Sequence, residues 1–167
     1  EWEYAARGGT ETPFFFEGQP KDFKEKNFIG KLFGKGSDII NNYVVYEKNS
    51  SLKTARPDVV EANPFGLKNM LGNAAEYCAD WYAKDAYSNL SDGVNDPKGP
   101  ATGEEHVIRG GTFKSPVGEV RSAARDYTRT EAWMKTDPQM PKSIWWLSDC
   151  NYIGFRVVCE YDENTGK

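Results

Sequence analysis

Three cysteines and one histidine are the residues of this chain best suited to redox or metal chemistry. They are Cys78, Cys150, Cys159 and His106. Their spacing fits no zinc site, because no CxxC pair occurs and a single imidazole leaves the ligand set incomplete. One disulfide with a free thiol and three buried thiols are both compatible with this count. We expect His106 to be a surface imidazole rather than a metal ligand or a catalytic base.

A second candidate for chemistry is the stretch RGGTFKSPVGEVRSAAR, which occupies residues 109–125. It could line an active site, or it could be backbone that positions other residues. No helix is predicted after Gly110 and Gly111, and the GxxxxGKS/T pattern of a phosphate-binding loop is absent. We therefore expect the glycine pair to serve a β-bulge or a close backbone approach.

Four arginines of the chain could grip an anionic ligand. They are Arg7, Arg109, Arg125 and Arg156. In a domain with little regular structure, such side chains more often bond loop carbonyls and carboxylates. We expect that role here, with carboxylate partners such as Asp80 and Glu76.

The elements that must position these residues belong to one small domain. The chain has 167 residues, of which 14% are aromatic, with 16 glycines and nine prolines. This composition is typical of a loop-rich domain held by large side chains rather than of a helical bundle. The sequence contains no basic stripe for nucleic acid and no run of about 18 apolar residues to span a membrane. We predict a single α+β domain over residues 1–167.

Turn signals and apolar patterns divide the chain into short elements. A first helix is predicted to end at Arg7, where Gly8 supplies a left-handed C-cap, and its missing N-cap indicates a preceding segment. Residues 13–16 are predicted to form a strand or an aromatic plug, and residues 17–42 a surface excursion. Short strands are predicted at residues 42–46, 77–81, 106–110, 121–125 and 152–160.

Four stretches, taken in order, resemble the sulfatase-modifying-factor family, the formylglycine-generating enzyme domain. They are EWEYAARGG at 1–9, NPFGLKNMLGNAAEYCADWY at 63–82, VIRGGTF to RSAAR at 107–125, and YIGFRVV at 152–158. The resemblance implies a C-type-lectin-like α+β fold with short strands, few helices and much irregular backbone. It also implies an N-terminal portion that this sequence lacks.

The resemblance implies a chemistry for which this chain lacks the residues. Family enzymes oxidise a substrate cysteine of sulfatases to formylglycine with copper and O₂, using two cysteines between the RGG and the AAR. Here Ser115 stands near the first position, and nothing at residues 117–119 supplies a second thiolate. Cu(I) prefers soft thiolate ligands, so we expect neither copper nor catalytic residues. An iron-dependent branch of the family uses a histidine cluster, which one histidine cannot provide.

The resemblance also implies a structural calcium site before and within the strand that contains Glu76. Asn69 and Glu76 would supply side-chain oxygens, and Gly72 and Ala74 would supply backbone carbonyls. Hard oxygen ligands of this kind suit Ca²⁺. The family's second calcium site falls in residues 17–42, where this chain diverges, and is not transferred.

Another interpretation of the same residues needs no metal. Asn69 and Asn73 would cap turns, and Glu76 would pair with an arginine such as Arg109 or Arg125. Trp81, Trp145 and Trp146 likewise could line a groove or hold irregular loops together. Trp145 and Trp146 lie in a stretch, residues 137–149, that carries a further resemblance.

Residues 137–149, followed by YIGFR, resemble the extended form of the family found in bacterial lipoproteins of gliding motility and type IX secretion. This resemblance implies a catalytically silent structural or protein-binding module of the bacterial envelope. It would lie in the periplasm or at the outer membrane, with other envelope proteins as partners and a lipid anchor upstream.

Two alternatives belong to other functional classes. An active oxidase with relocated ligands would require Cys78 to converge with Cys150 or Cys159 in an accessible groove. A ligand-display protein of the C-type-lectin kind would require residues 112–120 and 130–150 to form an exposed concave surface.

Overall fold

The computed structural model describes residues 1–24, 39–88, 90, 93–95, 97–136 and 150–159. The regular elements are short and widely separated. In chain order they are α1 (Trp2–Arg7), a 3-10 turn (Pro20–Phe23), α2 (Ile39–Tyr43), a second 3-10 turn (Pro57–Val59), β1 (Ala75–Trp81), β2 (His106–Arg109), β3 (Arg125–Tyr127), α3 (Thr130–Thr136) and β4 (Ile153–Phe155).

The four strands form one mixed sheet in the order β3-β2-β1-β4. β2 runs antiparallel to both β1 and β3, whereas β4 runs parallel to β1. The register places Glu76 of β1 between Arg109 of β2 and Gly154 of β4. The sheet, the few helices and the long irregular segments confirm the predicted α+β class.

The main core lies beside the sheet and is built largely from aromatic side chains. Phe14 and Phe16 stack with their ring centroids 5.0 Å apart, and Phe23 packs against Phe14 edge-on at 5.5 Å. Phe14, Leu71 and Val120 are fully buried. Residues 13–16 therefore form an aromatic plug, which is one of the two predicted alternatives.

The start of the chain forms as predicted. α1 ends at Arg7, and Gly8 adopts φ +57° while its amide donates to the Tyr4 carbonyl. This is the left-handed cap that glycine adopts without a steric penalty. Among the described residues, no helix is long and apolar enough to cross a membrane.

Three predicted strands differ in the structure. Residues 42–46 begin inside α2, and only Val45 forms a bridge, with Gly72. The strand predicted at 121–125 begins at Arg125, because Tyr127 pairs with Val107 while residues 121–123 turn. β4 covers only Ile153–Phe155 of the predicted 152–160. In each case the local residue pattern does not determine where the chain finds a pairing partner, and Val157 and Val158 beyond β4 are exposed.

His106 is a partly buried side chain and not the expected surface imidazole. Its ring lies 3.9 Å from the Trp81 ring, centroid to centroid, and 5.9 Å from that of Tyr77. The Nδ1 atom of His106 is buried and has no hydrogen-bond partner in the described part of the chain. Trp81, at the end of β1, thus packs on the His106 ring of β2, whereas Trp145 and Trp146 lie outside the described residues.

Candidate functional site

The stretch at 109–125 lines a cavity of about 350 Å³ beside the sheet. One wall comes from the sheet, and the opposite wall comes from the loop that follows β2. α3 and the residues before β4 close the remaining side. The polar and aromatic residues of the lining include Arg109, Thr112, Ser115, Glu119, Arg121, Arg125, Asp126, Arg129, Trp133 and Tyr152.

The glycine pair shapes the backbone of this cavity. Gly110 has φ +92° and Gly111 has φ +69°, a region that side-chain-bearing residues rarely adopt. A Cβ at Gly111 would lie 2.9 Å from Val120 Cγ1 and 3.0 Å from the Glu119 carbonyl oxygen. The close backbone approach predicted for this pair is therefore confirmed, and it fixes the path of the cavity wall.

Ser115, which stands near the family's first cysteine position, stabilises a turn. Its side chain is buried, and its Oγ accepts a hydrogen bond of 3.1 Å from the Thr112 amide. The Thr112 hydroxyl, 3.4 Å away, in turn accepts from the Lys114 amide at 3.0 Å. The Ser115 carbonyl accepts from the Glu47 amide. These bonds tie the cavity wall to the neighbouring loop.

Arg109 is already engaged by the protein itself. Its Nη1 lies 3.3 Å from Glu3 Oε2 and donates to the carbonyls of Ala123 and Ala124. Its Nη2 lies 3.4 Å from the Tyr87 hydroxyl. As expected, this arginine bonds carbonyls and a carboxylate, and it joins α1 to the loop before β3.

The other arginines of the cavity differ in how they are neutralised. Arg129 forms a bidentate pair with Asp126, at 2.8 and 3.2 Å. Arg125 lies between the rings of Tyr82 and Tyr87, with its Cζ 5.1 and 5.0 Å from their centroids. Arg121 donates from Nε to the Gly118 carbonyl at 2.6 Å. Arg125 was predicted as a residue that could grip an anion, whereas Arg121 and Arg129 were not, since isolated arginines in loops carry no pattern.

All three cysteines are in the thiol form, so the alternative with one disulfide is wrong. Cys159 is exposed, so the alternative with three buried thiols is also wrong. Burial raises the pKa of the Cys78 thiol to about 11, against a smaller lowering by Arg109. The Cys150 thiol lies 3.9 Å from the Tyr152 hydroxyl. Among the described lining residues, the cavity contains neither a thiol nor an imidazole.

The Glu76 carboxylate lies at the centre of a network that joins three parts of the chain. Its Oε2 accepts from Trp2 Nε1 at 2.8 Å and from Arg156 Nε at 3.2 Å. Its Oε1 accepts from Arg156 Nη2 at 2.8 Å. The arginine that pairs with Glu76 is therefore Arg156, and neither Arg109 nor Arg125.

The other three residues assigned to calcium lie in the turn that leads into β1. Asn69, at φ +54°, donates from Nδ2 to the Pro57 carbonyl at 2.9 Å, while its Oδ1 is buried and has no partner among the described residues. Gly72, at φ +75°, donates its amide to the Gly110 carbonyl at 2.7 Å. Ala74 immediately precedes β1. The sequence between Asn69 and Glu76 therefore forms one compact corner.

Asn73, in the same turn, links two loops. Its Oδ1 accepts from the Ala55 amide at 2.9 Å and its Nδ2 donates to the Ala55 carbonyl at 3.2 Å. Its backbone carbonyl accepts from the Phe113 amide. The side chain therefore does more than cap its own turn, because it binds Ala55, while the backbone carbonyl connects the turn to the loop that follows β2.

Comparison with known families gives a match over most of the chain. The model of the sulfatase-modifying factor enzyme 1-like domain matches residues 1–137. The chain belongs to this family. The expectation drawn from the four ordered stretches is thus confirmed for the family and for its fold.

Relatives of this sulfatase-modifying factor domain carry different names. The chain is 33% identical over 132 residues to the formylglycine-generating enzyme of Thermomonospora curvata, covering 75% of this chain and 41% of that protein. It is also 33% identical over 125 residues to the serine/threonine-protein kinase pkn1 of Chlamydia caviae, covering 75% of this chain and 17% of the kinase. The chain thus spans less than half of each of these relatives.

Two solved structures resemble the domain. Treponema denticola variable protein 1 is 30% identical with a TM-score of 0.54, covering 77% of this chain and 39% of that one. PvdO from Pseudomonas aeruginosa is 24% identical with a TM-score of 0.55, covering 76% and 43%. At 24% identity, the likeness to PvdO shows only that the two chains share a fold.

Proposed function

We propose that this domain is a catalytically silent binding module that contacts other proteins of a bacterial envelope assembly through the cavity lined by residues 109–125. The single observation that carries the proposal is the chemistry of this cavity. Its described lining offers hydroxyl groups, guanidinium groups and two carboxylates, from Glu119 and Asp126. Such groups bind polar partners, whereas Cu(I) requires thiolates.

The position of Ser115 strengthens this argument. A hydroxyl is a hard, neutral donor, and the Ser115 Oγ is already used in the turn with Thr112. Cys78 does not replace the missing thiolate, because a pKa of about 11 keeps its sulfur protonated at neutral pH. Oxidation of a substrate thiol through a metal–thiolate centre therefore has no ligands in the described cavity.

The envelope setting of the proposal comes from the sequence. Residues 137–149, which lie outside the described residues, carry the resemblance to lipoproteins of gliding motility and type IX secretion. A periplasmic or outer-membrane location, a lipid anchor upstream and envelope proteins as partners follow from that resemblance.

A peptide-oxidation assay tests the absence of catalysis. The chain is incubated with Cu(I), O₂ and a cysteine-containing sulfatase peptide, with the Thermomonospora curvata enzyme as the positive control. Mass spectrometry should show the aldehyde product only in the control. Aldehyde formation by this chain, above a copper-only blank, would overturn the proposal and would favour the oxidase alternative.

A ligand-display protein is the second candidate. It is favoured because the loop at 112–119 and Trp133 of α3 line the same cavity, which matches part of the concave surface expected for that class. Residues 137–149 of the expected surface lie outside the described residues. Tighter binding of a free small ligand than of a peptide would favour this candidate over a protein-binding module.

We also infer a structural calcium ion held by Asn69, Gly72, Ala74 and Glu76. The buried, unpartnered Oδ1 of Asn69 supports this inference, since a polar atom in that state costs free energy unless a ligand satisfies it. Glu76 accepts three hydrogen bonds, which leaves one of about four acceptor positions on its carboxylate. The ion would join the turn at Asn69 to β1.

Thermal unfolding tests the calcium proposal. A ligand present at about 100 times its Kd stabilises a protein by about 2.7 kcal/mol. Addition of 1 mM Ca²⁺, as a chosen condition of roughly that excess, should therefore raise the melting temperature of the EDTA-treated chain, whereas Mg²⁺ should do so weakly. Asn69→Ala should remove the calcium effect. An unchanged melting temperature in EDTA and in calcium would show that the site is not used.

A further inference from the structure

Two arginines lie opposite each other on neighbouring strands, and only one of them is paired with a carboxylate in the described part of the chain. Arg109 of β2 pairs in register with Arg125 of β3. Like charges directly opposite each other on neighbouring strands are destabilising. Glu3 compensates Arg109, but Arg125 forms no ion pair with any described residue, and its closest acceptor is the Ala83 carbonyl at 3.5 Å. The sheet therefore retains an unneutralised cation beside the cavity.

The guanidinium of Arg125 is held between two aromatic rings. The rings of Tyr82 and Tyr87 each lie about 5 Å from its Cζ, at 5.1 and 5.0 Å, and fix the guanidinium by cation–π contact. A guanidinium fixed in this way loses little conformational freedom when it binds an oxyanion through two of its nitrogens. Its position is therefore set before any ligand arrives.

Arg121 supplies a second available cation. Its Nε is anchored on the Gly118 carbonyl at 2.6 Å, and no described residue accepts from its terminal nitrogens. Arg129, by contrast, is neutralised by its bidentate pair with Asp126. Of the four arginines in the described lining, two are therefore paired with carboxylates and two are open to a ligand.

The rest of the lining limits the kind of anion. Ile108 and Ile153 supply apolar surface, and the Trp133 and Tyr152 rings meet edge-on with centroids 6.2 Å apart. Glu119, which is exposed at the cavity, would repel a ligand with several negative charges. A single oxyanion joined to an apolar body satisfies both parts of the lining.

We infer that this cavity binds one carboxylate attached to an apolar group, with Arg121 and Arg125 holding the carboxylate oxygens. The inference rests on the proposed binding role of the cavity and names its ligand chemistry. Such a group occurs where an acidic or C-terminal residue of a protein partner adjoins a hydrophobic side chain, and also in a free amphipathic acid. Planar carboxylates match the two-nitrogen edge of a guanidinium.

Binding of small probes tests the inference on the whole chain. N-acetylphenylalanine carries the carboxylate and the ring, and N-acetylphenylalaninamide is its neutral counterpart. In NMR titrations followed at the Gly110 and Gly111 amides and the Trp133 indole, the acid should bind at least about tenfold more tightly than the amide. Equal binding of the two probes would overturn the inference.

Variants identify the residues involved. Arg125→Gln and Arg121→Lys should each weaken binding of the acid and leave binding of the amide unchanged. Glutamine removes the positive charge, whereas lysine keeps the charge but lacks the two-nitrogen edge of a guanidinium. Arg56→Gln is the matched control, since Arg56 pairs with Asp58 on the exposed surface outside the cavity. Undiminished acid binding in both cavity variants, confirmed as folded by thermal melts, would contradict the assignment.

A peptide probe separates the two sources of the carboxylate. Acetyl-Phe-Glu-amide presents the group as an internal side chain; tighter binding of this peptide than of the free acid identifies a protein partner, and the reverse identifies a small ligand. The outcomes are distinct from those of the oxidation assay. Absence of acid binding overturns the carboxylate assignment alone, whereas aldehyde formation overturns the binding module.

Discussion

Replacement of Arg156 by methionine isolates the contact that closes the Glu76 network. The substitution keeps most of the aliphatic length and removes two hydrogen bonds to the Glu76 carboxylate, at 2.8 and 3.2 Å, and one to the Lys68 carbonyl at 3.0 Å. Glu76 would keep only Trp2 as a donor. The carboxylate of Glu76, a residue that is only 7% exposed, would then lack its counter-ion.

The size of the effect follows from the exposure of the two side chains. Loss of one partner from a fully buried pair costs about 3–5 kcal/mol, and loss of an exposed pair costs about 1 kcal/mol or less. The Arg156 side chain is 33% exposed and that of Glu76 is 10% exposed. We therefore expect Arg156→Met to lower the free energy of unfolding by about 2–3 kcal/mol, or the melting temperature by about 5–10 °C.

Urea unfolding in EDTA measures this loss without a bound metal. Arg56→Met is the control, because the Arg56–Asp58 pair is exposed and its loss should leave the unfolding midpoint unchanged. A double-mutant cycle with Glu76→Gln should give a coupling of at least about 1 kcal/mol, since the neutral amide no longer needs a counter-ion. Equal losses in Arg156→Met and Arg56→Met, or zero coupling, would refute the reasoning.

Other changes test the turns and the thiols. Gly72→Ala should lower the free energy of unfolding by at least about 2 kcal/mol, because residue 72 has a positive φ and the new Cβ would clash with the Val45 carbonyl oxygen. Gly118→Ala is the control: the space around Gly118 is open, so this substitution should change the urea midpoint little. In labelling with a thiol reagent at pH 8, Cys159, which is exposed, should react more than tenfold faster than Cys78. Equal rates would contradict the partial burial of the Cys78 thiol. Stability should also fall as the pH rises from 9 to 11, because the unfolded thiol ionises near 9.0 while the folded one retains its proton to about 11. Cys78→Ala should make this fall shallower in urea melts repeated across that range, and an identical slope would count against the raised pKa.

Local signals predicted part of the fold well. Gly8 ends α1 because a glycine after the last apolar residue of a helix adopts the left-handed cap, and this depends on neighbouring residues only. β2 was predicted at residues 106–110 as the strand that leads into the glycine pair, and it covers His106–Arg109. The family followed from four ordered motifs, none of which is specific by itself.

Contacts between distant residues were not predictable from the sequence. Trp2 and Arg156 lie 74 and 80 positions from Glu76, so no spacing rule connects them to it. The strand predicted at 121–125 failed for the same reason, since pairing with β2 selects Arg125–Tyr127 over the preceding residues. Residues 42–46 were apolar enough for a strand, yet α2 extends to Tyr43 and leaves Val45 with a single bridge.

The parallel pairing of β4 with β1 leaves β1 incompletely paired during synthesis on the ribosome. At about 5–20 residues per second, the interval between synthesis of Glu76 and of Arg156, which are 80 positions apart, lasts about 4–16 s. Throughout this interval one edge of β1 has no neighbour, and the Glu76 carboxylate has no counter-ion. The nascent chain therefore exposes an unpaired strand edge, to which another strand can pair, until β4 emerges.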